Sequence, residues 1–217
     1  MAAGADGKRS VKALVTQAER CAALGVGFLI LHMGKALGTK EEKALARTAK
    51  NVDAVLAAAP EGVMLLLENT AGSGSAIGSR FEELAEVRRA AAGRLDFPIG
   101  FCLDTAHCLA AGYDVATASG LEKTLRQAHR VLGLDRVPVI HTNDSKAPLG
   151  SHVDRHEHIG QGYIGIQGFR RILHHPRLRD KAFILETPID REGDDRRNLL
   201  KLKRLCRKSR TTRSRSS

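Results

Sequence analysis

The sequence predicts an α/β fold in which a parallel sheet is covered by helices. Five short apolar runs alternate with segments of helical periodicity, which is the pattern of repeated βα units. The runs are apolar throughout, as expected of strands that are buried on both faces. Each run also stops on a His, Glu or Asp. Because the carboxyl ends of parallel strands lie on one face of the sheet, the same pattern predicts a polar site at that face.

Each element in the first half of the chain has a local signal. The predicted elements are a helix over 11–24, a strand over 27–32, a helix over 40–59, a strand over 63–68, a small-residue loop over 69–78 and a helix over 79–92. Gly25 is a plausible C-cap of the first helix, and Pro60 ends the second. Ser79 followed by Glu82 matches a capping box at the start of the third helix.

The second half of the chain continues the alternation. The predicted elements are a strand over 99–104, a short helix over 107–111, a helix over 121–132, a strand over 137–141, a helix opening at 169–173, a strand over 182–186 and a terminal helix over 194–206. Between them, residues 143–166 form a polar loop of 24 residues. A loop this long inside a compact domain is usually functional.

Composition limits the class of protein. The 217 residues suffice for one sizeable domain, and the longest apolar run is too short to cross a membrane. No apolar signal-peptide core follows Met1, so a cytoplasmic location is expected. The four cysteines form no CxxC pair, which favours buried thiols in a reducing compartment over a Cys-zinc or thioredoxin-type site. Neither a dinucleotide-binding GxGxxG nor a P-loop motif is present.

The net charge of +11 is concentrated at the C-terminus. Eight basic residues and no acidic ones follow from Lys201 onward, which leaves about +3 for the preceding 200 residues. A basic, Ser/Thr-rich end is typical of a disordered solvated tail, and it can also add sequence-independent attraction to phosphates.

The five strand ends predict a metal site. The end residues are His32, Glu68, Asp104, His141 and Glu186. The first four are 36, 36 and 37 positions apart, and the last follows after 45, which is about one strand plus one helix each time. A single polar strand end has little meaning, and His32 or Glu186 alone would be an ordinary polar residue. Five such ends in register, with no Lys, Ser or Thr among them, indicate convergent metal ligands.

Three further residues are candidate ligands. His107 lies three positions after Asp104 and reaches the same pocket, unless Asp104 is only a helix cap and His107 a surface residue. Asp154 and His156 are two apart in the loop, so in an extended segment their side chains share one side. The alternative for this loop is a chance cluster of histidines, since His152 and His158 have the same parity.

Two nearby segments have open interpretations. The loop after Glu68 is either a flexible connector or a place where a phosphate or sugar approaches the backbone. Asp144 and Lys146 either orient ligands or phosphate, or pair on the surface; surface pairing is the favoured interpretation.

The candidate ligands indicate a hydrolytic metal centre. Oxygen and nitrogen ligands without thiolates suit Zn²⁺, Mn²⁺ or Fe²⁺. Eight ligands exceed what one ion needs, so two or three ions are expected. Clustered metals suit phosphoester hydrolysis because they ionise a water, neutralise the phosphate and stabilise the leaving oxygen.

Taken together, the motifs resemble the endonuclease IV family of zinc-dependent apurinic/apyrimidinic endonucleases. The motifs are ENTAGSG at 68–74, CLDTAHCLAAGYD at 102–114, HTNDSK at 141–146, VDRHEHIGQGYIG at 153–165 and ILETP at 184–188. The resemblance covers roughly residues 10–205. It implies a TIM barrel with three zinc ions at its carboxyl face. It also implies double-stranded DNA with an abasic site or a blocked 3′ end as substrate, cut 5′ to the lesion to leave a 3′-hydroxyl and a 5′ deoxyribose phosphate.

The resemblance also implies roles for individual residues. Glu68 would bridge two zinc ions, with His32 at the first. Asp104, His141 and Glu186 would complete the second site, and His107, Asp154 and His156 would hold the third. Glu186 would also orient the attacking hydroxide, so Glu186 and Glu68 are the expected catalytic residues.

The chain departs from the family pattern in two respects. Five strands are predicted where the family barrel has eight, so the first three βα units, upstream of Arg9, are expected to be absent. The family's HPGSH-like strand end is His32-Met-Gly-Lys-Ala here. The expected organisation is a disordered segment over 1–8, a truncated TIM-type barrel over 9–206 and a basic disordered tail over 207–217. An open edge strand predicts association or aggregation and impaired activity.

Two other functions fit the sequence. A metal-dependent sugar isomerase or epimerase would use a similar barrel but only one or two ions. A non-enzymatic remnant would bind DNA through its basic tail and bind metals weakly.

Overall fold

The computed structural model describes residues 4–91 and 99–207, and every structural statement below concerns these residues. Five parallel strands form one sheet in the order β1-β2-β3-β4-β7. They are β1 (Phe28–His32), β2 (Met64–Glu68), β3 (Ile99–Asp104), β4 (Val139–His141) and β7 (Ala182–Ile184). A second sheet is a short antiparallel ribbon of β5 (Asp144–Ser145) and β6 (His156–Glu157). The predicted α/β class and parallel sheet are confirmed.

Helices connect the strands. They are α1 (Gly4–Ala23), α2 (Glu41–Ala58), α3 (Phe81–Ala91), α4 (Thr105–Ala110), α5 (Ala118–Leu132), α6 (Gly165–His174) and α7 (Asp194–Cys206). The termini follow local rules. Glu41 and Glu42 place negative charge in the first turn of α2, and Thr117 caps α5 by accepting from Gly120 N.

The strands are staggered, and the stagger curls the sheet. The aligned residues near the carboxyl ends are His32 with Glu68, Glu68 with Cys102, Asp104 with His141, and His141 with Ile184. Asp104 and Glu186 therefore lie two residues beyond the partners of Glu68 and His141. A shift of two residues at two of four strand pairs averages one residue per strand, which is the shear of an eight-stranded TIM barrel. The expectation that all five ends share one register is wrong. The barrel tilt is what brings them to a common height.

The two faces of the sheet have different cores. The larger core lies between the sheet and the surrounding helices and includes the fully buried Phe81, Phe101 and Phe169. A second, small cluster lies on the concave inner face, where Leu66, Cys102 and Val139 are buried. Because side chains alternate along a strand, the inner face also carries Glu68, two residues after Leu66. The strand-end residues thus lie directly above this inner cluster.

Several predicted boundaries differ from the structure. Helix α1 begins at Gly4, seven positions before the predicted start, so residues 4–8 are helical although they were expected to be disordered. Gly25 has φ +68° just after α1, as predicted for a C-cap. The predicted capping box is wrong in register: Glu83, not Glu82, accepts from Arg80 N and Gly78 N at the start of α3. Strand β7 ends at Ile184, so Glu186 lies in the following segment.

The predicted loop over 143–166 is ordered rather than structureless. It contains the β5–β6 ribbon, and α6 begins inside its predicted range. Asp144 is fully buried and accepts hydrogen bonds from backbone amides of the loop. The donors are Ser145, Gly160, Gly162, Ile164 and Gly165. The favoured interpretation of Asp144 as a surface pairing residue is therefore wrong, since one buried carboxylate organises this loop.

Two other expectations concern the surface and the tail. No helix in the described part of the chain is both long and apolar enough to cross a bilayer. The predicted basic tail lies outside the described residues except for Arg207.

Candidate metal centre

Glu68 lies at the middle of a cluster of imidazole and carboxylate groups. Its Oε2 is 2.9 Å from His32 Nε2, and its Oε1 is 2.8 Å from His141 Nδ1. The same Oε1 lies 3.6 Å from His107 Nδ1. Glu68 is 3% exposed, whereas the side chain of His32 is half exposed. The two oxygens of one buried carboxylate thus face two different groups of nitrogen atoms.

A second part of the cluster surrounds Asp104. His156 Nε2 lies 3.8 Å from Asp104 Oδ2 and 3.9 Å from Asp154 Oδ1. Asp154 Oδ1 is also 3.2 Å from His107 Nε2. Asp104 caps helix α4 by accepting from His107 N at 2.8 Å. Asp104 thus caps the helix and also faces the cluster, so its two interpretations are compatible. His107 is 2% exposed, so it is not a surface residue.

Glu186 closes the cluster on its open side. Its Oε2 is 3.1 Å from His141 Nδ1, and its side chain is half exposed. Its backbone oxygen lies 2.9 Å from His156 Nδ1, which ties the segment after β7 to the β5–β6 ribbon. All eight predicted ligand residues therefore converge above the inner face of the sheet. Their role as ligands stays a prediction.

Four overlapping groups of donor atoms are close enough to share a cation. Within each group the atoms lie within 4.8 Å of one another. The groups are His32/Glu68/His107, Glu68/Cys102/His141, Asp104/His107/His156 and Glu68/Asp104/His141/Glu186. Among the residues that the structure describes, the buried His156 Nε2 has no hydrogen-bond partner, and it points toward Asp104 and Asp154. An orphaned nitrogen between two carboxylates fits a missing cation, because buried polar atoms are otherwise nearly always paired.

Burial and close pairing shift the pKa values around Glu68. Burial alone would raise the pKa of Glu68, but hydrogen bonds from His141 and His32 lower it to about 2. Burial would lower the pKa of His141, whereas its contacts with Cys102 and Glu186 raise it well above the ordinary value. Glu68 is therefore anionic beside the imidazoles of His141 and His32, whose raised pKa values mean that they hold their protons more tightly than usual. A bound cation would replace those protons.

Burial and close pairing also oppose each other in setting the pKa values of His107 and Asp154, beside Asp104. Burial would lower the pKa of His107, but the charge of Asp104 and the hydrogen bond to Asp154 raise it to about 9. The pKa of Asp154 is lowered, first by its hydrogen bond with His107. The His107–Asp154 pair is thus an ion pair at neutral pH in the absence of metal.

Two asparagines orient the cluster, and the sequence interpretation did not single them out. Asn143 Nδ2 donates to Asp104 Oδ2 at 2.6 Å, and its Oδ1 accepts from Glu186 N at 2.8 Å. Asn69 Oδ1 accepts from Asp104 N at 2.7 Å, and its backbone oxygen lies 2.9 Å from His107 Nδ1. The signal that could have indicated them is their position: Asn69 directly follows the end of β2, and Asn143 lies two residues after the end of β4.

Two histidines of the VDRHEH region do not join the cluster. His152 Nδ1 lies 3.1 Å from Ala71 O, and His158 Nδ1 lies 3.0 Å from Asn198 Nδ2. The alternation of side chains that would put them on the same side as His156 holds only in an extended strand. Strand β6 ends at Glu157, before His158, and His152 has an unusual φ of +54°.

The loop after Glu68 is ordered by backbone hydrogen bonds. An antiparallel bridge joins Lys35 and Ala76, and Thr70 N donates to Gly78 O at 2.9 Å. Ile77 N donates to Gly34 O at 3.0 Å. The interpretation of this loop as a flexible connector is not supported by these contacts.

The fold and the site together define the class of protein. A family profile described as a xylose isomerase-like TIM barrel matches residues 2–208, nearly the whole chain. Solved barrels of other kinds share the fold: a D-tagatose 3-epimerase-like protein superposes with a TM-score of 0.67 at 17% identity. At that identity the likeness shows the fold alone.

Relatives with higher identity specify the family. The chain is 52% identical over 199 residues to a probable endonuclease 4 of Solibacter usitatus, covering 91% of this chain and 69% of the relative. A probable endonuclease 4 of Methanosphaerula palustris is 42% identical, with 92% and 70% covered. The crystal structure of endonuclease IV from Thermus thermophilus matches with a TM-score of 0.79 at 40% identity, over 94% of this chain and 70% of that one. The chain belongs to the endonuclease IV family.

Proposed function

We propose that this chain is a DNA-repair endonuclease that hydrolyses the phosphodiester bond 5′ to an abasic site, leaving a 3′-hydroxyl and a 5′ deoxyribose phosphate. The observation that carries the proposal is the convergence of eight His, Glu and Asp side chains above one end of a parallel barrel sheet. The names of the relatives at 52% and 42% identity support it.

The residues present fit two or three zinc ions. Glu68 has two oxygens that face separate nitrogen groups, so it suits a bridging position with His32 on one side. The other groups divide into two sets. Asp104, His141 and Glu186 would join Glu68 at the second ion, and His107, Asp154 and His156 would hold a third. The mixture of imidazole and carboxylate groups favours Zn²⁺, with Mn²⁺ as the alternative.

Bound divalent ions would supply Lewis acidity and positive charge at a phosphodiester. The chain's own residues would position the attacking water and orient the ligands. Glu186, whose carboxylate is half exposed at the opening of the cluster, would hold the attacking water and accept its proton. Asn143 orients this carboxylate through the backbone amide of Glu186 and orients Asp104 directly. Glu68, the other expected catalytic residue, lies beneath both nitrogen groups and sets their spacing.

The substrate proposed for this site is double-stranded DNA with an abasic site or a blocked 3′ end. The cluster is open to solvent on the side of His32, Asp154 and Glu186, which are the half-exposed members. The net charge of +11 adds attraction to a polyanion, and that attraction weakens with salt.

The test is incision of a duplex oligonucleotide with one central abasic-site analogue by the zinc-loaded chain. Glu186→Gln removes the proton acceptor, and Glu192→Gln makes the same chemical change at an exposed position six residues further on. We expect the parent and Glu192→Gln to cut on the 5′ side. Glu186→Gln should lose at least about 100-fold in rate, the usual contribution of a positioned acid or base. An intact duplex after incubation with the zinc-loaded parent would overturn the proposal.

A further inference from the structure

Ser73, in the loop after Glu68, makes two hydrogen bonds to the segment that carries Asp154. Ser73 Oγ accepts a hydrogen bond from Asp154 N at 3.2 Å and donates one to His152 O at 2.7 Å. The two loops are about 80 residues apart in sequence. The hydroxyl of Ser73 therefore uses both its donor and its acceptor capacity to bridge them.

The surroundings of Ser73 make this bridge a defined structure. His152 Nδ1 lies 3.1 Å from Ala71 O, and His152 N donates to Ala110 O at 2.9 Å. A Cβ on Gly72 would lie only 2.8 Å from His152 Nδ1, so a glycine is needed where the two loops touch. His152 itself has φ +54°, which is uncommon for a residue other than glycine. A backbone held in that region indicates a constrained site.

Among the described residues, the backbone amide of Asp154 donates to Ser73 Oγ alone, whereas its neighbour Arg155 is held separately by Lys146 N, which donates to Arg155 O at 2.9 Å. The side chain of Asp154 is half exposed, and its carboxylate reaches the buried His107 at 3.2 Å. An exposed carboxylate on a loop would sample many rotamers, so fixing its backbone determines whether it faces His107. The loop after Glu68 is joined to the segment after β1 by Ile77 N, which donates to Gly34 O, and Thr70 N closes the loop on itself by donating to Gly78 O. Ser73 thus links that loop to the segment that carries Asp154.

We infer that Ser73 is a positioning residue that holds Asp154 toward His107 and His156. Through this bridge, the loop that follows the central Glu68 also determines the geometry at the far end of the cluster. The inference rests on the metal centre proposed above. Ser73 contacts Asp154 through the backbone amide and touches none of the proposed ligand atoms.

The test compares two serines of the same loop. Ser75 has an exposed side chain that makes no hydrogen bond among the described residues, so Ser75→Ala is the matched control for Ser73→Ala. Zinc equivalents and affinities would be measured by titration of the metal-free proteins. Loss of an outer positioning contact typically weakens metal binding about 10- to 100-fold. We expect a loss of that size at one zinc site in Ser73→Ala, no change in Ser75→Ala, and recovery in Ser73→Thr, which keeps the hydroxyl.

A second readout does not need metal. The amide hydrogen of Asp154 should exchange with solvent slowly in the metal-free parent and in Ser75→Ala, and faster in Ser73→Ala. Equal zinc affinity and equal exchange in the two alanine variants would overturn this inference and leave the proposed function standing. A parent chain that binds no zinc at all would overturn both.

Discussion

At the scale of single residues, Glu68 connects three histidines of the site. It is buried at the end of β2, where its Oε2 contacts His32 and its Oε1 contacts His141. Its pKa of about 2 keeps it ionised at any physiological pH. A carboxylate in this position determines how far apart two cations would lie, since each oxygen can serve one of them.

Replacing Glu68 by Gln should therefore remove more than one zinc ion. The amide keeps the shape of the side chain but loses its charge, so both neighbouring sites lose an anionic ligand. We expect zinc affinity to fall by more than about 100-fold, beyond the loss caused by an outer-shell change. Zinc per chain would be measured after dialysis, with Glu61→Gln, an exposed residue just before β2, as the control. Full zinc content in Glu68→Gln would contradict this prediction.

The four cysteines should divide into two reactive and two unreactive thiols. Cys102 and Cys108 are buried, and burial raises the pKa of the Cys108 thiol far above its ordinary value. Cys206 is exposed and Cys21 is partly exposed. Because the thiolate is the reactive form, an aromatic disulfide reagent should titrate two thiols in the native chain and four after unfolding. Cys206→Ser should lower the native count by one. A count of four before unfolding would show that both Cys102, on the inner face, and Cys108, in the larger core, are open to solvent.

At the scale of elements, the loop that carries Asp154 and His156 depends on the buried Asp144. This carboxylate accepts from the amides of a turn that ends at the start of α6. Gly162 fits beside it closely: a Cβ there would lie 2.3 Å from Ser145 O and 2.6 Å from Asp144 Oδ1. The ribbon that presents His156 is built on the same residues, since Asp144 pairs with Glu157.

Asp144→Ala should destabilise the chain strongly. Several amides would lose a charged acceptor inside the protein, and each such hydrogen bond contributes about 1.5–3 kcal/mol. We expect the free energy of unfolding in urea to fall by about 3 kcal/mol or more. Asp144→Asn, which keeps one acceptor oxygen, should lose less. Asp180→Ala, at an exposed position, should be neutral within about 0.5 kcal/mol. A neutral Asp144→Ala would mean that the amides find water instead.

The loop after Glu68 allows a comparison of two glycines. Gly72 and Gly74 have φ values of +78° and +60°, so alanine is strained at either position. Nothing lies within 4 Å of a Cβ on Gly74, whereas a Cβ on Gly72 would meet His152. Gly74→Ala should cost about 1–2 kcal/mol from the backbone alone. Gly72→Ala should cost about 1–3 kcal/mol more from overpacking.

Thermal unfolding of the two metal-free variants measures that difference. A lower melting temperature for Gly72→Ala than for Gly74→Ala would agree with close packing of His152 against this loop. Equal melting temperatures would mean that the histidine moves aside without cost.

At the scale of the whole molecule, the described sheet has two open edges. Strand β1 pairs only with β2, and β7 pairs only with β4, among the residues that the structure describes. Apolar side chains are exposed near both: Phe28 is 39% and Ile184 is 42% exposed. Unpaired edges with apolar neighbours favour pairing with another chain. Association of this chain, which the five-strand pattern predicts, stays a prediction.

Phe28→Lys should reduce association if the β1 edge is responsible. A charge on an edge strand opposes edge-to-edge pairing. Leu199→Lys is the matched control, because Leu199 is 43% exposed but lies on helix α7 and not on a strand. Light scattering coupled to size-exclusion chromatography should show a smaller species for Phe28→Lys than for the parent or for Leu199→Lys. A monodisperse monomeric parent would contradict the prediction.

The amino-acid sequence by itself determined the α/β class, the five strands and the set of eight residues that converge. These are local signals: an apolar run and the polar residue that ends it lie next to each other in the chain. The family motifs around Glu68, Asp104 and His156 are local in the same sense. The prediction erred at element ends, by seven residues at the start of α1, and by one residue at the capping box of α3, because local patterns define the type of an element better than its ends.

Only the tertiary structure decided how these residues meet. Glu68 and His141 are 73 positions apart, and no local pattern tells that they lie 2.8 Å from each other. The stagger of the strands, the burial of Asp144, the roles of Asn69 and Asn143 and the exclusion of His152 and His158 all depend on contacts between distant segments. Backbone direction in a loop and the register between strands are set by packing and by hydrogen bonds across the fold. These contacts, rather than the residue types, determine which polar side chains form the cluster and which serve only to hold it in place.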